Sequence, residues 1–365
     1  MSTFADRVGR VRGEMEAQGV DVLLLSVGPD LPYLTGYEAM PLERLTMLVL
    51  PRQGEATLVV PRLEAPRVVE QPDVFTTQAW NETDDPIDIV AGLAKGAAVA
   101  AIGDHTWARF LVDLLTALPS TTFRRASTVV SPIRSRKDVA EIAALRAAGA
   151  AADRVARQLQ GGEIPMVGRT EADVSADISR RLLAEGHQRV NFAIVGSGPN
   201  GASPHHSASA RVLERGDLVV CDFGGRMNGY CSDITRTVAL GGPPAEAVEA
   251  YAVLREAQRA AVAAAVVGTP CEEVDAVARR IITAGGFGDR FIHRTGHGIG
   301  MEEHEDPYIV SGNHLALAPG HAFSVEPGIY TPGQWGMRLE DIVVATSDGP
   351  ESLNTVDHDL VVLDV

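Results

Sequence analysis

The sequence has few cysteines and no apolar run long enough to cross a membrane. Its three cysteines, Cys221, Cys231 and Cys271, form no CxxC pair and cannot staple a chain of 365 residues, which favours reduced thiols and a cytoplasmic location. The first residues lack the apolar core of a signal peptide, and the longest apolar run is about half a membrane span. We therefore expect a soluble, cytoplasmic protein that does not bind membranes.

Basic residues are also scarce relative to acidic ones. The chain has 32 Lys and Arg against 48 Asp and Glu, a formal net charge of -16, which argues against a surface that grips nucleic-acid phosphates. Hydrophobic residues make up 45% and charged residues 22%, a composition typical of a globular chain with a substantial core. At 365 residues the chain is long enough for two or more domains.

The hydrophobic pattern divides the chain near residue 132. Residues 1–131 alternate helical spacing, as at 4–18, with strand-like runs such as VDVLLLSV, which predicts a mixed α/β domain. The pattern breaks at Ser131-Pro132 and resumes as an Ala-rich helix at 139–160. Residues 132–365 combine grouped helices with antiparallel strands, so the second domain is predicted to be α+β. Thr170 is expected to cap a helix that starts at Glu171.

A predicted hairpin brings two carboxylates together in the second domain. Asn228-Gly229 separates two apolar runs and indicates a two-residue turn. This register places residue 222 opposite residue 235, so Asp222 and Asp233 are diagonal neighbours on one face. Two carboxylates on a largely apolar face repel each other unless a cation or a proton lies between them.

Further acidic and histidine side chains interrupt apolar segments near the C-terminus. Glu326 and Glu340 each lie within a strand-like run, and His293, His297 and His304 form a cluster. Oxygen-rich ligation with imidazoles favours Mn, Co or Zn, and four carboxylates favour two divalent ions over one. The residues alone leave a structural role for each acid open. A GxGxxG match at 196–201 precedes Pro204 and two histidines, so it does not indicate a dinucleotide site.

The order and context of these residues resemble the pita-bread metallopeptidases, the creatinase and methionine aminopeptidase-like family. The segment VDVLLLSVGPDLPYLTGY is similar to the creatinase-like N-terminal domain of the branch that contains prolidase and aminopeptidase P. The resemblance covers essentially the whole chain. It implies an α+β fold with a C-terminal pita-bread catalytic domain, 132–365, and a smaller mixed α/β creatinase-like N-terminal domain, 1–131.

The resemblance also implies a ligand set. Asp233 and Glu340 would bridge two divalent metal ions, with manganese expected and cobalt or zinc as alternatives. Asp222 would chelate one ion, and His297 and Glu326 would complete the other. Glu326 would also move protons while a metal-activated hydroxide attacks the peptide.

Other residues match substrate-binding positions of the family. His205 would contact the substrate, His304 would lie near the scissile carbonyl oxygen, and His293 and Arg338 would line the pocket. Tyr308 stands where archaeal-type prolidases have an arginine that binds the dipeptide carboxylate. A phenol cannot replace a bidentate guanidinium, so strict dipeptide specificity depends on another cation, such as Arg338 or a residue of the first domain.

The resemblance implies an Xaa-Pro dipeptidase, or prolidase, that acts on short proline-containing peptides as a homodimer. The alternative is an Xaa-Pro aminopeptidase, or aminopeptidase P. An alternative of another class is a metal-free pita-bread amidinohydrolase or a binding protein, which the intact ligand set disfavours.

Overall fold

The computed structural model describes residues 3–364 and divides the chain into two compact units. The first unit ends at Arg134 and the second begins at Ser135. The boundary predicted near residue 132 lies inside the helix Ser127–Arg134. Among residues 3–364, no helix has both the length and the apolar character needed to span a membrane.

The first unit is a mixed α/β structure, as predicted. Its helices are α1 Thr3–Gln18, α2 Asp30–Thr35, α3 Pro86–Leu93, α4 Ala108–Ala117 and α5 Ser127–Arg134. Its strands are β1 Val22–Leu25, β2 Met47–Pro51, β3 Thr57–Pro61, β4 Thr76–Trp80, β5 Val99–Ile102 and β6 Thr122–Arg125.

These strands form one sheet in the order β4-β3-β2-β1-β5-β6. Strand β1 pairs antiparallel with β2 and parallel with β5. Every residue of β1 is buried, as expected for an uninterrupted apolar run covered on both faces.

The pattern break expected at Ser131-Pro132 is wrong, because α5 continues through Pro132. Proline has no N–H to donate to the carbonyl four residues earlier, which usually breaks a helix. Here that carbonyl, on Thr128, accepts a hydrogen bond from the Gln18 side chain at 2.8 Å. A side chain from α1 thus replaces the missing helical bond, and local sequence cannot reveal such a contact.

The second unit combines long helices with antiparallel strands, which confirms the predicted α+β class. Its helices are α6 Val139–Gln160, α7 Glu171–Ala184, α8 Ala245–Ala264 and α9 Cys271–Ala284. Strands of its first half are β7 Arg189–Ser197, β8 Leu218–Met227, β9 Tyr230–Cys231 and β10 Ile234–Leu240. The later strands are β11 Gly296–Gly298, β12 Glu305–Ile309, β13 Ala322–Val325, β14 Gly328–Thr331, β15 Trp335–Arg338, β16 Asp341–Thr346, β17 Gly349–Ser352 and β18 Val361–Leu363.

Each of the two larger sheets in this unit packs against a helix pair. One sheet has the order β18-β10-β8-β7, and the other has the order β12-β11-β13-β16-β17. Helices α6 and α7 share a buried core with the first sheet, and α8 and α9 share one with the second. Strands β14 and β15 form a separate two-stranded ribbon.

The predicted hairpin and its register are confirmed. Asn228 and Gly229 both have positive φ, 52° and 86°, as a two-residue turn of this type requires. Asp222 lies opposite Thr235 across β8 and β10. Thr235 is two residues after Asp233, so Asp222 and Asp233 are diagonal neighbours, as predicted.

The prediction that Glu326 and Glu340 lie within continuous strands is wrong. Glu326 lies in the gap between β13 and β14, and Glu340 lies between β15 and β16. Pro327 follows Glu326 and has no N–H to donate to a sheet. Both carboxylates are therefore placed where the chain passes from one sheet to another.

Candidate metal centre

An open cavity of about 520 Å³ in the second unit contains almost all of the predicted site residues. Tyr308 is the predicted residue that is absent from its lining. The predicted residues that line it are His205, Asp222, Asp233, His293, His297, His304, Glu326, Arg338 and Glu340.

The acidic residues reach the cavity from separate segments of the sheets. Asp222 lies on β8, and Asp233 immediately precedes β10. Glu340 forms an isolated antiparallel bridge with Thr235, and the Thr235 hydroxyl donates a hydrogen bond to Glu340 Oε2 at 2.6 Å. Possible ligand atoms of Asp233, His297 and Glu340 all lie within 4.8 Å of one another. The fold therefore assembles a compact oxygen and nitrogen ligand set.

Three carboxylates of this set have an oxygen that lacks a donor. Asp222 Oδ1, Asp233 Oδ1 and Glu340 Oε1 are buried and have no hydrogen-bond partner among residues 3–364. Burial, followed by repulsion from neighbouring carboxylates, raises the pKa of Asp233 and Glu340 well above their ordinary values. Leaving buried acceptors without partners costs free energy. Carboxylate oxygens bind hard divalent cations such as Mn²⁺, so these three oxygens suit a cation of that kind. We call Asp222, Asp233 and Glu340 the acidic cluster.

The geometry of His297 also suits a metal ligand. Its Nδ1 faces the Gly298 carbonyl at 3.1 Å, and because a carbonyl can only accept, Nδ1 carries the proton. Nε2 faces Glu326 Oε1 at 3.2 Å and Asp233 Oδ2 at 3.8 Å, where it donates to Glu326 when it carries a proton and offers a lone pair to a metal ion when it does not. Metal-binding histidines commonly donate their second N–H to a carbonyl in this way.

A glycine permits this placement of the His297 backbone. A Cβ at Gly296 would lie 1.8 Å from the Ser324 carbonyl oxygen, so no other residue fits without moving β13. The Ser324 hydroxyl in turn accepts from the His297 backbone N–H at 3.0 Å. Local sequence around His297 thus fixes how closely its strand approaches β13.

Glu326 differs from the acidic cluster because its ionised form is stabilised. The Ser324 hydroxyl donates to Glu326 Oε1 at 3.0 Å. Burial opposes ionisation, but hydrogen bonding and attraction from His297 outweigh it and hold the pKa of Glu326 at about 2. Glu326 is consequently a carboxylate at neutral pH, able to bind a cation or accept a proton.

Arg338 connects the cavity to its surroundings. Its Nη2 pairs with Asp222 Oδ2 at 2.5 Å, and its Nε donates to the Thr235 hydroxyl at 3.2 Å. Asp341, the neighbour of Glu340 in sequence, pairs instead with the buried Arg236 at 2.9 Å. Arg338 is therefore an ion-pair partner of the acidic cluster, in addition to lining the cavity.

His293 is held by hydrogen bonds at both ring nitrogens. Nδ1 faces the Arg294 carbonyl at 2.7 Å, and Nε2 lies 2.9 Å from the Tyr330 hydroxyl. The same hydroxyl accepts from Arg338 Nη1 at 3.0 Å. Burial lowers the pKa of His293, so a neutral imidazole faces the cavity.

The remaining histidines lie at the exposed side of the cavity. His205 and His304 are both exposed, and the His304 ring lies over that of His297 with their centroids 3.9 Å apart. Tyr308 is half-buried, and the Arg294 guanidinium lies 4.4 Å from its ring centroid. Arg294, which lines the cavity, therefore places a cation beside Tyr308.

Sequence reasoning missed several residues of the site. Arg294 and Tyr330 belong to the short segments that hold His297 and Glu326, RTGHGIG at 294–300 and VEPGIY at 325–330, and this closeness in sequence was the signal that could have found them. Phe192 and Ile194 form an apolar wall of the cavity and alternate on β7, as side chains on one face of a strand do. Their apolar character gave no signal of a site.

Comparison with known proteins matches both parts of the chain to described families. The model of Metallopeptidase family M24 matches residues 143–347, and that of the Creatinase/Prolidase N-terminal domain matches residues 7–136. The probable dipeptidase PepE of Mycobacterium tuberculosis is 45% identical, over 99% of this chain and 97% of that protein. The Xaa-Pro dipeptidase of Lactobacillus helveticus is 36% identical, over 94% of this chain and 95% of that protein. The crystal structure of dipeptidase PepE from Mycobacterium ulcerans superimposes with a TM-score of 0.94 at 44% identity, covering 100% of this chain and 99% of that one.

Proposed function

Because the chain belongs to metallopeptidase family M24, we propose that it is an Xaa-Pro dipeptidase that hydrolyses short proline-containing peptides. The observation that carries the proposal is the acidic cluster, whose unpartnered buried oxygens face an open cavity. The dipeptidase names of the two relatives that cover nearly the whole chain support it.

Two divalent ions are the proposed cofactor. The residues that would hold them are Asp222, Asp233, His297, Glu326 and Glu340. When bound, such ions acidify water and polarise a peptide carbonyl. A ligand set of four carboxylates and one imidazole favours manganese, with cobalt or zinc as alternatives.

The other residues would act on the proton and the substrate. Glu326, ionised at neutral pH, would accept a proton and return it to the leaving proline nitrogen. The exposed imidazole of His304 would donate a hydrogen bond to the carbonyl oxygen as negative charge develops there. His205, which lines the same cavity, would hold the substrate.

The cavity wall offers complementary contacts for a dipeptide. Phe192 and Ile194 supply apolar surface for a side chain or a proline ring. Arg294, stacked on Tyr308, supplies the cation that the tyrosine itself cannot, so we propose it as the partner of the dipeptide carboxylate. The stacking would hold the planar guanidinium in one orientation.

An Xaa-Pro aminopeptidase is the second candidate. The cavity is open and Tyr308 occupies the position of the expected arginine, so a peptide longer than two residues could extend past proline. We expect an Xaa-Pro dipeptide to be cleaved faster than the matching Xaa-Pro-Xaa tripeptide in the presence of Mn²⁺. Cleavage of the tripeptide alone would overturn the dipeptidase proposal and favour the aminopeptidase.

A chelation experiment separates both peptidases from a metal-free hydrolase or a binding protein. Purified protein is expected to contain two equivalents of divalent metal and to lose activity with a chelator. Activity that is indifferent to chelation would contradict the proposed cofactor.

A homodimer and a cytoplasmic location are also part of the proposal. The dimer follows from the family resemblance, and light scattering of the purified protein would test it. The three cysteines are free and buried, which suits a reducing compartment.

A further inference from the structure

We infer that Glu171 is a positioning residue that holds His205 at the rim of the cavity. The inference rests on the proposed function, because it assigns His205 to substrate binding. It concerns the segment 197–209, which runs from the end of β7 past His205 and which we call the histidine loop. Glu171 itself is absent from the cavity lining.

The Glu171 carboxylate is fully buried and binds both ends of the histidine loop. Its Oε1 accepts from the backbone N–H and the hydroxyl of Ser197, at 2.8 and 2.7 Å. Its Oε2 accepts from the backbone N–H and the hydroxyl of Ser209, at 3.0 and 2.7 Å. Asn200 and His206 also contact it, at 3.1 and 2.7 Å. One carboxylate therefore joins the beginning, middle and end of the loop.

These contacts favour the charged form of Glu171. Burial opposes ionisation, but the hydrogen bonds from Ser209 and Ser197 outweigh it and hold the pKa at about 2. Hydrogen bonds to an ionised acceptor are stronger than neutral ones. The loop is thus fastened by a charge that persists at every physiological pH.

The Glu171 carboxylate is not needed to cap helix α7, although it lies in the first turn of that helix. The Thr170 side chain accepts from the Asp173 backbone N–H, and the Asp173 side chain accepts from the Thr170 backbone N–H. This capping box satisfies the start of the helix. Glu171 is the next residue along the helix, and the contacts of its side chain described above go to the histidine loop.

A second anchor holds the loop from the side of the metal ligands. Arg338 Nη1 donates to the Pro204 carbonyl at 3.2 Å, one residue before His205. A Cβ at Gly201 would lie 3.1 Å from the Gly196 carbonyl oxygen and 3.3 Å from the Gly336 nitrogen, so the loop also packs closely on β15. His205 lies between the two anchors, and loss of the Glu171 anchor should free it to move.

The test is a double-mutant cycle between Glu171→Gln and His205→Ala. Glutamine has the shape of glutamate but no charge, and its amide N–H would face the Ser197 and Ser209 groups that donate hydrogen bonds to Glu171. We expect Glu171→Gln to raise KM for an Xaa-Pro dipeptide about tenfold, a loss typical of one charged hydrogen bond, with a smaller change in kcat. If Glu171 acts through His205, the double variant should be no worse than His205→Ala alone. Additive losses would overturn the inference.

Asp153→Asn is the matched control. Asp153 is also buried and accepts from a backbone N–H and a hydroxyl, both of Thr355, but neither residue lines the cavity. This variant should leave KM unchanged. An equal rise in KM for Asp153→Asn would show that the effect of Glu171→Gln is general destabilisation.

Hydrogen exchange gives a readout that does not depend on activity. Amides of the histidine loop should exchange faster in Glu171→Gln than in the wild type, while those of 354–355 should not. If Glu171→Gln fails to fold, Ser209→Ala removes a single hydroxyl donor and should produce a smaller shift of the same kind. Unchanged exchange in the loop would contradict the inference, whereas wild-type protein inactive on Xaa-Pro peptides would contradict the proposed function alone.

Discussion

The acidic cluster and the Glu171 carboxylate are both buried in the second unit, yet their surroundings are opposite. Glu171 receives hydrogen bonds from four residues, and its pKa is held at about 2. Asp222, Asp233 and Glu340 each have an oxygen without a donor, and burial raises their pKa values. A buried acid surrounded by donors organises the protein, whereas acids that lack donors and repel each other require a cation.

The largest effect should come from removing one member of the acidic cluster. Glu340→Ala is expected to abolish metal binding and to lower kcat/KM by more than about a thousandfold, because metal ions contribute several kcal/mol to such reactions. Metal content by elemental analysis and hydrolysis of an Xaa-Pro dipeptide would measure it. Glu303→Gln changes another carboxylate of the same cavity and should retain the metal. Near-normal turnover of Glu340→Ala would remove Glu340 from the site.

Chelation should reduce stability as well as activity. Ions that neutralise the acidic cluster bind only the folded protein, so at 100 to 1,000 times Kd they should add about 3–4 kcal/mol to the free energy of unfolding. Urea unfolding with Mn²⁺ and with a chelator would measure the difference. The stability of Glu340→Ala should not respond to the chelator, and a wild type equally stable in both conditions would contradict the proposed metal site.

The Glu171 carboxylate predicts a pH dependence of stability that comes from hydrogen bonds within the protein and not from a bound metal. Because the pKa is depressed from 4.5 to about 2, its stabilisation is complete above pH 4.5 and is lost as the pH falls towards 2. In metal-free protein, Glu171→Gln should lower the free energy of unfolding by up to about 3 kcal/mol at pH 7. The gap in stability between wild type and variant should narrow below pH 4.5. A gap that stays constant to pH 3 would assign the loss to packing.

Asp153→Asn should have the smallest effect in this series. It weakens hydrogen bonds from Thr355 and Asn354 and should cost about 1–2 kcal/mol of stability. Urea unfolding would measure the cost, with metal content as the companion readout. Loss of metal from this variant would show that a buried carboxylate outside the cavity lining also affects metal binding.

The sequence predicts the residues of the metal centre better than the distant contacts that hold the surrounding segments in place. Asp222 and Asp233 follow from the Asn228-Gly229 turn, because strand register is set by local geometry. The full predicted helix 139–160 is also found, since its caps and composition agree. By contrast, α5 continues through Pro132 only because Gln18 supplies a distant hydrogen bond, and Glu171 has no local feature that distinguishes it from a first-turn acid. Contacts between residues far apart in sequence are what the pattern cannot supply.

The metal centre is tested most directly by anomalous diffraction from crystals of active protein grown with Mn²⁺. Two peaks are expected in the cavity, both in contact with Asp233 and Glu340, one with Asp222 and the other with His297 and Glu326. Active protein with no anomalous peak at the acidic cluster would contradict the claim that these unpartnered oxygens hold the catalytic ions.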